Sequence, residues 1–253
     1  MALEIGVNLW SARDAMQEDS DRTLSGIAAA GYENVEMAGY YGHSPEKFRD
    51  LLEKNGLRAV GAHVPLARFE SELEMVIAEG TMFGLHSLVV PWLGPEQRTE
   101  EFIRMLPARL NEWGKEVVKA GMRLAYHNHE FEYQIEINGR EMIQFIVTDT
   151  HPDFVDIEPD LAQIAAAGFD PIVELERLDP RVRIIHAKDR AADGTVVNVG
   201  SGEIDWDAVI AFAQANQVDY LIVEHDRQRD LMADLGACHR YLIDRMAAAT
   251  TNR

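Results

Sequence analysis

The sequence predicts an α/β fold, a (β/α)8 TIM barrel formed as a single domain over residues 1–253, and three observations predict it. Eight apolar runs of strand length recur along the chain. Most are continuously apolar rather than alternating, as expected of parallel strands covered on both faces. Segments with helical spacing separate them, with no long linker and no low-complexity tract. Periodicity alone does not distinguish a closed barrel from an open doubly wound sheet, but eight repeats in about 250 residues match the barrel. No early strand runs into G-x-G-x-x-G or a Walker lysine pattern, which argues against a nucleotide-binding open sheet.

In chain order the strands are expected at LEIGVNL (3–9), NVEMAG (34–39), RAVGAHV (58–64) and SLVVPW (87–92), then MRLAYHN (122–128), FVDIEP (154–159), VRIIHAK (182–188) and DYLIVEH (219–225). TLSGIAAAG and PEKFRDLLEKNG follow the first two turns of the pattern, each closed by a glycine suited to a left-handed C-cap. EFIRMLPARLNEWGKEVVKAG is longer, and Pro107 and Gly114 within it are expected to bend or interrupt the helix. GREMIQFIVTDT, LAQIAAAGFDPIVELERL, DWDAVIAFAQANQ and LMADLGACHRYLIDRMAAA supply the later helical segments. The last holds Cys238, whose neighbours read as a helix and make it a buried structural thiol.

Composition bounds the partners. A hydrophobic content of 47% provides a sizeable core, and no apolar run approaches the roughly 20 residues of a membrane helix. With 24 basic and 43 acidic residues the formal charge is −19, which repels nucleic-acid phosphates. The opening MALEIGVNLWSARD lacks a basic region and a small-residue cleavage site, so no signal peptide is expected. The single cysteine excludes an intrachain disulfide and suits a reducing, cytoplasmic setting. Neither nucleic acid nor membrane is expected as a partner; a homo-oligomer is compatible with the fold.

Chemistry-bearing residues collect where the strands end. Asn8 and Trp10 follow the first strand, Glu36 ends the second and His63 the third. The fifth runs into LAYHNHEFEY, with His127, His129, Glu130 and Glu132; the sixth carries Glu158 and Asp160. His186 and Lys188 follow from the seventh, and Glu224, His225 and Asp226 from the eighth, while the fourth ends in uncharged PWLG. In a parallel barrel these ends converge on the face that holds the active site. Buried there without partners they would cost several kcal/mol, whereas a divalent cation compensates them. Taken singly, each has a plainer explanation: Asp160 also fits as the N-cap of LAQIAAAG, and Glu36 as a solvated acid.

NVEMAGYYG, YHNHEFEY, DIEPDLAQIAAAG, RIIHAKD, VNVGSGEIDW and YLIVEHD, in this order over essentially the whole length, resemble the blocks of the sugar phosphate isomerase/epimerase family, the xylose isomerase-like TIM barrels that also include endonuclease IV. The resemblance implies one divalent metal, Mn²⁺ first, with Mg²⁺, Co²⁺ or Zn²⁺ as alternatives, held by Glu132, Asp160, His186 and Glu224. Glu130 is the competing choice for the first ligand. It further implies a small-molecule carbohydrate substrate and proton transfer α to a carbonyl through a metal-stabilised enediolate, that is, an isomerase or epimerase of a sugar, keto-sugar or sugar phosphate. Glu132 and Glu224 are then the base and acid on the two faces of the intermediate. His63, His127 and His129 are expected to hydrogen-bond substrate hydroxyls, with Glu36 as a further hydroxyl partner. Lys188 would polarise a carbonyl or hold an anion, and Trp10 offers a flat wall for a sugar face.

VNVGSGEIDW is expected to form a loop over the pocket mouth, with Gly200 and Gly202 allowing unusual dihedrals. Arg190, Arg227 and Arg229 form the basic cluster nearest that mouth, which suits either a phosphate or charge balance on the acidic surface. Two other activities and one non-catalytic role compete. A lyase or deglycosidase of 3-keto-glycosides would follow the same proton abstraction with β-elimination. Endonuclease IV-like hydrolysis needs more ligands and a basic DNA-facing surface, which the net charge opposes. A non-catalytic sugar-binding barrel would have no need of all four ligand types.

Overall fold

The structure, a computed structural model, describes residues 3–251. Eight strands form one parallel sheet: β1 Glu4–Asn8, β2 Asn34–Met37, β3 Arg58–His63, β4 Ser87–Val90, β5 Arg123–His127, β6 Val155–Glu158, β7 Ile184–Ala187 and β8 Tyr220–Val223. Their order is β6-β5-β4-β3-β2-β1-β8-β7. The two ends meet through single parallel bridges, Ile157 with Val182 and Asp160 with His186, so the sheet curls into a nearly closed barrel. The seam between β6 and β7 is thus irregular where two of the expected metal ligands sit.

Side chains two residues apart share a face of a strand, and the barrel interior is layered accordingly. At the N-terminal end Arg58 reaches Glu4 (2.7 Å) and Asn34 (2.8 Å), and Arg123 pairs with Asp156. Val60, Ile184, Tyr220 and Ile222 form a small apolar cluster above them. His186 and Glu224 lie two residues beyond Ile184 and Ile222, which sends both to the C-terminal end of the interior. Gly6 and Gly61 leave room in this interior: a Cβ on Gly6 would approach Ile222 to 2.6 Å, and one on Gly61 would approach Glu36 Oε1 to 2.8 Å. The larger core fills the space between the outer faces of the strands and the helices.

The helices follow the apolar spacing. Ser20–Ala29 and Pro45–Lys54 end as expected at Gly31 and Gly56, both with positive φ. The helix Glu100–Lys119 is not interrupted, contrary to the expectation from Pro107 and Gly114. Ile103, Leu106, Leu110, Trp113 and Val117 give it one continuous buried face, and that packing outweighs the roughly 3 kcal/mol cost of an internal proline. Gly114 is there for contact: a Cβ would overlap the Phe154 carbonyl. LAQIAAAGFDPIVELERL forms two helices, Leu161–Ala166 and Pro171–Leu178, because Gly168 turns left-handed and Pro171 starts the second. Leu66–Ser71 and Leu73–Phe83, which the spacing does not single out, connect β3 to β4. Cys238 is buried in the last helix, Leu231–Thr251, and its Sγ accepts the Val199 amide at 3.3 Å. Among the described residues no helix is long and apolar enough to cross a membrane.

Candidate active site and metal centre

The strand ends bring most of the expected residues together. Glu36 Oε2 accepts from Asn8 Nδ2 at 2.7 Å and lies 2.7 Å from His186 Nε2 and 3.2 Å from His63 Nε2. Glu158 Oε2 lies 3.0 Å from His63 Nε2, 3.2 Å from His127 Nδ1 and 3.3 Å from His186 Nε2. On the other side of the His186 ring, Nδ1 is 3.0 Å from Glu224 Oε2. Lys188 Nζ donates to Glu224 Oε1 at 2.8 Å and lies 3.7 Å from Asp160 Oδ2. Asp160 also accepts the Gln163 amide as an N-cap, so its plainer role and its place in the cluster are both realised. All of these carboxylates are buried.

Burial raises every buried acid and lowers every buried base; the neighbours decide which side prevails. Against burial, His63 and His186 hold the Glu36 carboxyl well below its usual range, and Lys188 with His186 does the same for Glu224. Burial and the nearby Glu36 push Glu158 up to about 7, and burial against the pull of Lys188 pushes Asp160 up to about 6. His63, between Glu36 and Glu158, rises against burial to about 9. Burial and the surrounding imidazoles send His127 well down, and burial takes His129 down to about 3. Against burial, Glu158, Glu36 and Glu224 hold the His186 imidazole well above its usual range. At neutral pH the site therefore holds two charged imidazoles, His63 and His186, two neutral ones, His127 and His129, and an ionised Glu224.

Glu132 stands apart from this cluster. It belongs to the short helix Phe131–Gln134 after β5, buried, with Oε1 accepting from Tyr126 Oη at 2.8 Å and Oε2 from the His129 amide at 2.7 Å. Burial pushes its carboxyl up to about 8. Glu130, the competing choice, is exposed at the surface. His127, Asp160, His186 and Glu224 each offer one ligand atom, and these atoms lie within 4.8 Å of one another; His63, His127, Glu158 and His186 form a second such group. Glu36 Oε1, Glu158 Oε1, Asp160 Oδ2 and His127 Nδ1 are buried without a hydrogen-bond partner. Mixed imidazole and carboxylate donors with unsatisfied buried lone pairs fit a first-row divalent cation.

Two cavities open beside the cluster. One of about 490 Å³ has His63, His127, His129 and Glu224 on its floor and Trp10, Pro65, Pro91 and Trp92 on its walls. Neither Glu36 nor Glu132 lines it; Glu36 lies beneath the floor, bonded to His63 and His186. The second, about 880 Å³, lies on the other side of the Lys188–Glu224 pair. Beyond β7, Asp189–Arg190 and Val196–Val197 pair as a short antiparallel hairpin. Its residues 194–198 line the second cavity with Lys188, Arg227 and Arg229, but so do Asp226 and Asp234, which makes it mixed in charge. VNVGSGEIDW forms part of this wall rather than a cover over the first cavity. Asp189 fixes that loop, accepting from the amides of Gly200 (2.8 Å), Gly202 (3.2 Å) and Ile204 (3.3 Å) and from Trp206 Nε1 (2.9 Å). Gly200 has the expected positive φ, whereas Gly202 is needed for space, since a Cβ would overlap Asp189.

Glu158 stands among the strand-end acids of the sequence without an assigned role, and Asn128 and Trp92 are site residues that the sequence does not single out. Period-two spacing from Asp156 puts Glu158 on the interior face, and that signal is legible. Asn128 Oδ1 accepts the Asp160 amide at 3.1 Å, a contact between sequence-distant residues with no local signature. Trp92 lies in the uncharged PWLG, where attention to titratable groups passes it over.

Comparison with known proteins agrees with this architecture. The model of the family described as xylose isomerase-like TIM barrel matches residues 24–240. Among curated proteins, an inosose dehydratase of Mesomycoplasma hyopneumoniae (strain 7448) is 26% identical over 189 residues, 67% of this chain and 62% of that protein. The chain thus spans less than two thirds of that relative's length. Among solved structures, a sugar phosphate isomerase/epimerase from Parabacteroides distasonis ATCC 8503 superposes with a TM-score of 0.81 at 20% identity, covering 98% of this chain and 96% of that one. A xylose isomerase-like TIM barrel protein from Mycobacterium smegmatis, in complex with magnesium, gives 0.77 at 16% identity over 98% of both chains. With eight parallel strands around an acid- and histidine-lined end and a family match over most of its length, the chain belongs to the xylose isomerase-like TIM barrel family.

Proposed function

We propose that the protein is a divalent-metal-dependent isomerase or epimerase of a sugar or keto-sugar that transfers a proton next to a carbonyl. The observation that carries this reading is the floor of the 490 Å³ cavity, where ionised Glu224, charged His63 and neutral His127 and His129 face one small volume. Groups whose environments drive their protonation states apart are the raw material of acid–base chemistry. His127, Asp160, His186 and Glu224 are the proposed ligands, with Glu132 in place of His127 as the competing assignment; Mn²⁺ is the first candidate. When bound, such a cation supplies Lewis-acid polarisation of the carbonyl.

The chain's own groups do the rest. Glu224, kept ionised by Lys188, accepts the proton from the carbon next to the carbonyl. Charged His63, supported by Glu36 and Glu158, faces developing negative charge on oxygen and returns a proton to carbon. Both groups recover their charge when Glu224 releases its proton to solvent and His63 takes one up. His127 and His129 orient hydroxyls, and Lys188 sets the charge state of Glu224. Glu132 holds the backbone at His129 and thereby the position of that ring.

A second reading is dehydration, in which the same proton abstraction is followed by loss of a β-hydroxyl protonated by His63. The curated relatives named inosose dehydratase favour it. One experiment serves both. Incubation of the Mn²⁺-loaded protein in D₂O with a panel of ketoses and inososes is expected to exchange the proton next to the carbonyl, and removal of the metal by chelation to stop it. A product that differs from the substrate only by the exchanged deuterium indicates isomerisation or epimerisation, and one that has also lost the elements of water indicates dehydration. Absence of exchange across the panel would overturn the shared first step.

A further inference from the structure

The walls of the 490 Å³ cavity differ in kind from its floor. Trp10 and Trp92 are 49% and 46% exposed, and among the described residues they are the two exposed side chains of the Trp, Tyr and Phe types. Both line this one cavity, on the loops after β1 and β4, with β2 and β3 between them. Large apolar side chains left in water at a single concave place mark a binding surface rather than ordinary surface composition.

Both rings are held ready. The guanidinium of Arg13 sits 4.8 Å from the Trp10 ring centroid and donates to the Trp10 carbonyl at 3.0 Å. Arg98 lies 4.4 Å from the Trp92 centroid and 3.6 Å from that of Phe131, anchored by two 3.0 Å bonds to the Leu93 carbonyl. His129 meets Trp92 edge-on at 4.6 Å. Rings fixed before the ligand arrives lose little freedom when it binds. Between them the wall is completed by Ala38, Gly39, Pro65 and Pro91, none of which carries a polar side-chain group. A second sugar ring there would leave its hydroxyls without partners, at a cost for each one desolvated.

We propose that this collar binds a flat, apolar, aryl-type substituent, so that the substrate is a carbohydrate or cyclic polyol carrying such a group rather than a free sugar. The hydroxylated part rests on the histidine floor and the planar group is gripped by Trp10 and Trp92. The inference deepens the reading given above and rests on it for the occupant of the floor; the collar stands on the tryptophans alone.

Calorimetric titration of the Mn²⁺-supplemented protein with 4-nitrophenyl β-D-glucoside, methyl β-D-glucoside and 4-nitrophenol tests it. The aryl glucoside is expected to bind about ten-fold more tightly than the methyl glucoside, the scale of one stacked and buried aromatic contact. Trp10→Ala and Trp92→Ala should each shrink that ratio towards one by weakening the aryl glucoside, and Trp92→Phe should retain most of it. If 4-nitrophenol binds as tightly as its glucoside and loses that binding in Trp92→Ala, the collar stands and the carbohydrate reading of the floor falls. Equal affinity for the two glucosides, no binding of either aryl compound, or a preference that survives both alanine substitutions would overturn the collar.

Discussion

Glu132 shows how one carboxylate separates two accounts of the site. Its usual value is 4.5 and burial lifts it to about 8 in the folded chain. Below the lower value both states hold the proton and nothing changes. Between the two the native state keeps a proton that the unfolded chain has released, so stability falls as pH rises, by a few kcal/mol at the top of the window. Glu132→Gln retains an acceptor for the His129 amide and a partner for Tyr126, and removes the ionisation. Its melting temperature is expected to match the parent near pH 4.5 and exceed it near pH 9, with stoichiometric Mn²⁺ retained; His127→Leu should lose the metal instead. Loss of Mn²⁺ from Glu132→Gln, measured by elemental analysis, would make Glu132 the ligand. The same residue marks a limit of sequence reading. YHNHEFEY announces a titratable cluster, but whether Glu132 faces the cavity or turns back to Tyr126 depends on the one-turn helix that follows β5.

Among the elements, the connection from β7 to the helix Trp206–Ala215 is the clearest case of a segment organised by one side chain. Asp189 is fully buried and gathers three amides and an indole N–H from residues 200–206, in addition to the Arg190 amide at 2.8 Å. Asp189→Ala leaves those donors facing an apolar side chain, at about 1–3 kcal/mol for each one left unpaired. The variant is expected to melt several degrees lower and to be cut by protease within residues 190–204, where the parent resists. An unchanged digestion pattern would count against this role. In the fragment HAKD, His186 and Lys188 carry the chemistry that the sequence suggests, while the aspartate supports the wall of the second cavity. Local spacing suggests a loop at VNVGSGEIDW; which side of the rim it leans on follows from where Asp189 pins it.

For the molecule as a whole, the interior carries a band of acids and imidazoles where other layers hold ion pairs or aliphatic side chains. A cation that binds this band in the folded state and not in the unfolded chain stabilises by mass action. At a hundred-fold excess over its dissociation constant the gain is about 2.7 kcal/mol, which raises the melting temperature of a chain of this size by roughly 5–10 °C. Mn²⁺ is expected to give that shift and a chelator to reverse it, with Asp160→Asn abolishing it; a melting curve indifferent to Mn²⁺ would remove the metal centre.

The eight-fold alternation, the parallel character of the strands and the convergence of acids and histidines on one rim are all written in the order of the residues. These follow from local chemistry: continuous apolar runs bury both faces, and period-two spacing sends His186 and Glu224 to the same end of the interior as Asn8 and Glu36. Three relations emerge only from the folded chain: Asp160 meets His186 across an irregular seam, Glu132 is held by Tyr126, and Trp10 and Trp92 share one cavity. Those relations join residues far apart in the chain or turned by a single helical turn, and no local periodicity encodes a distance between them.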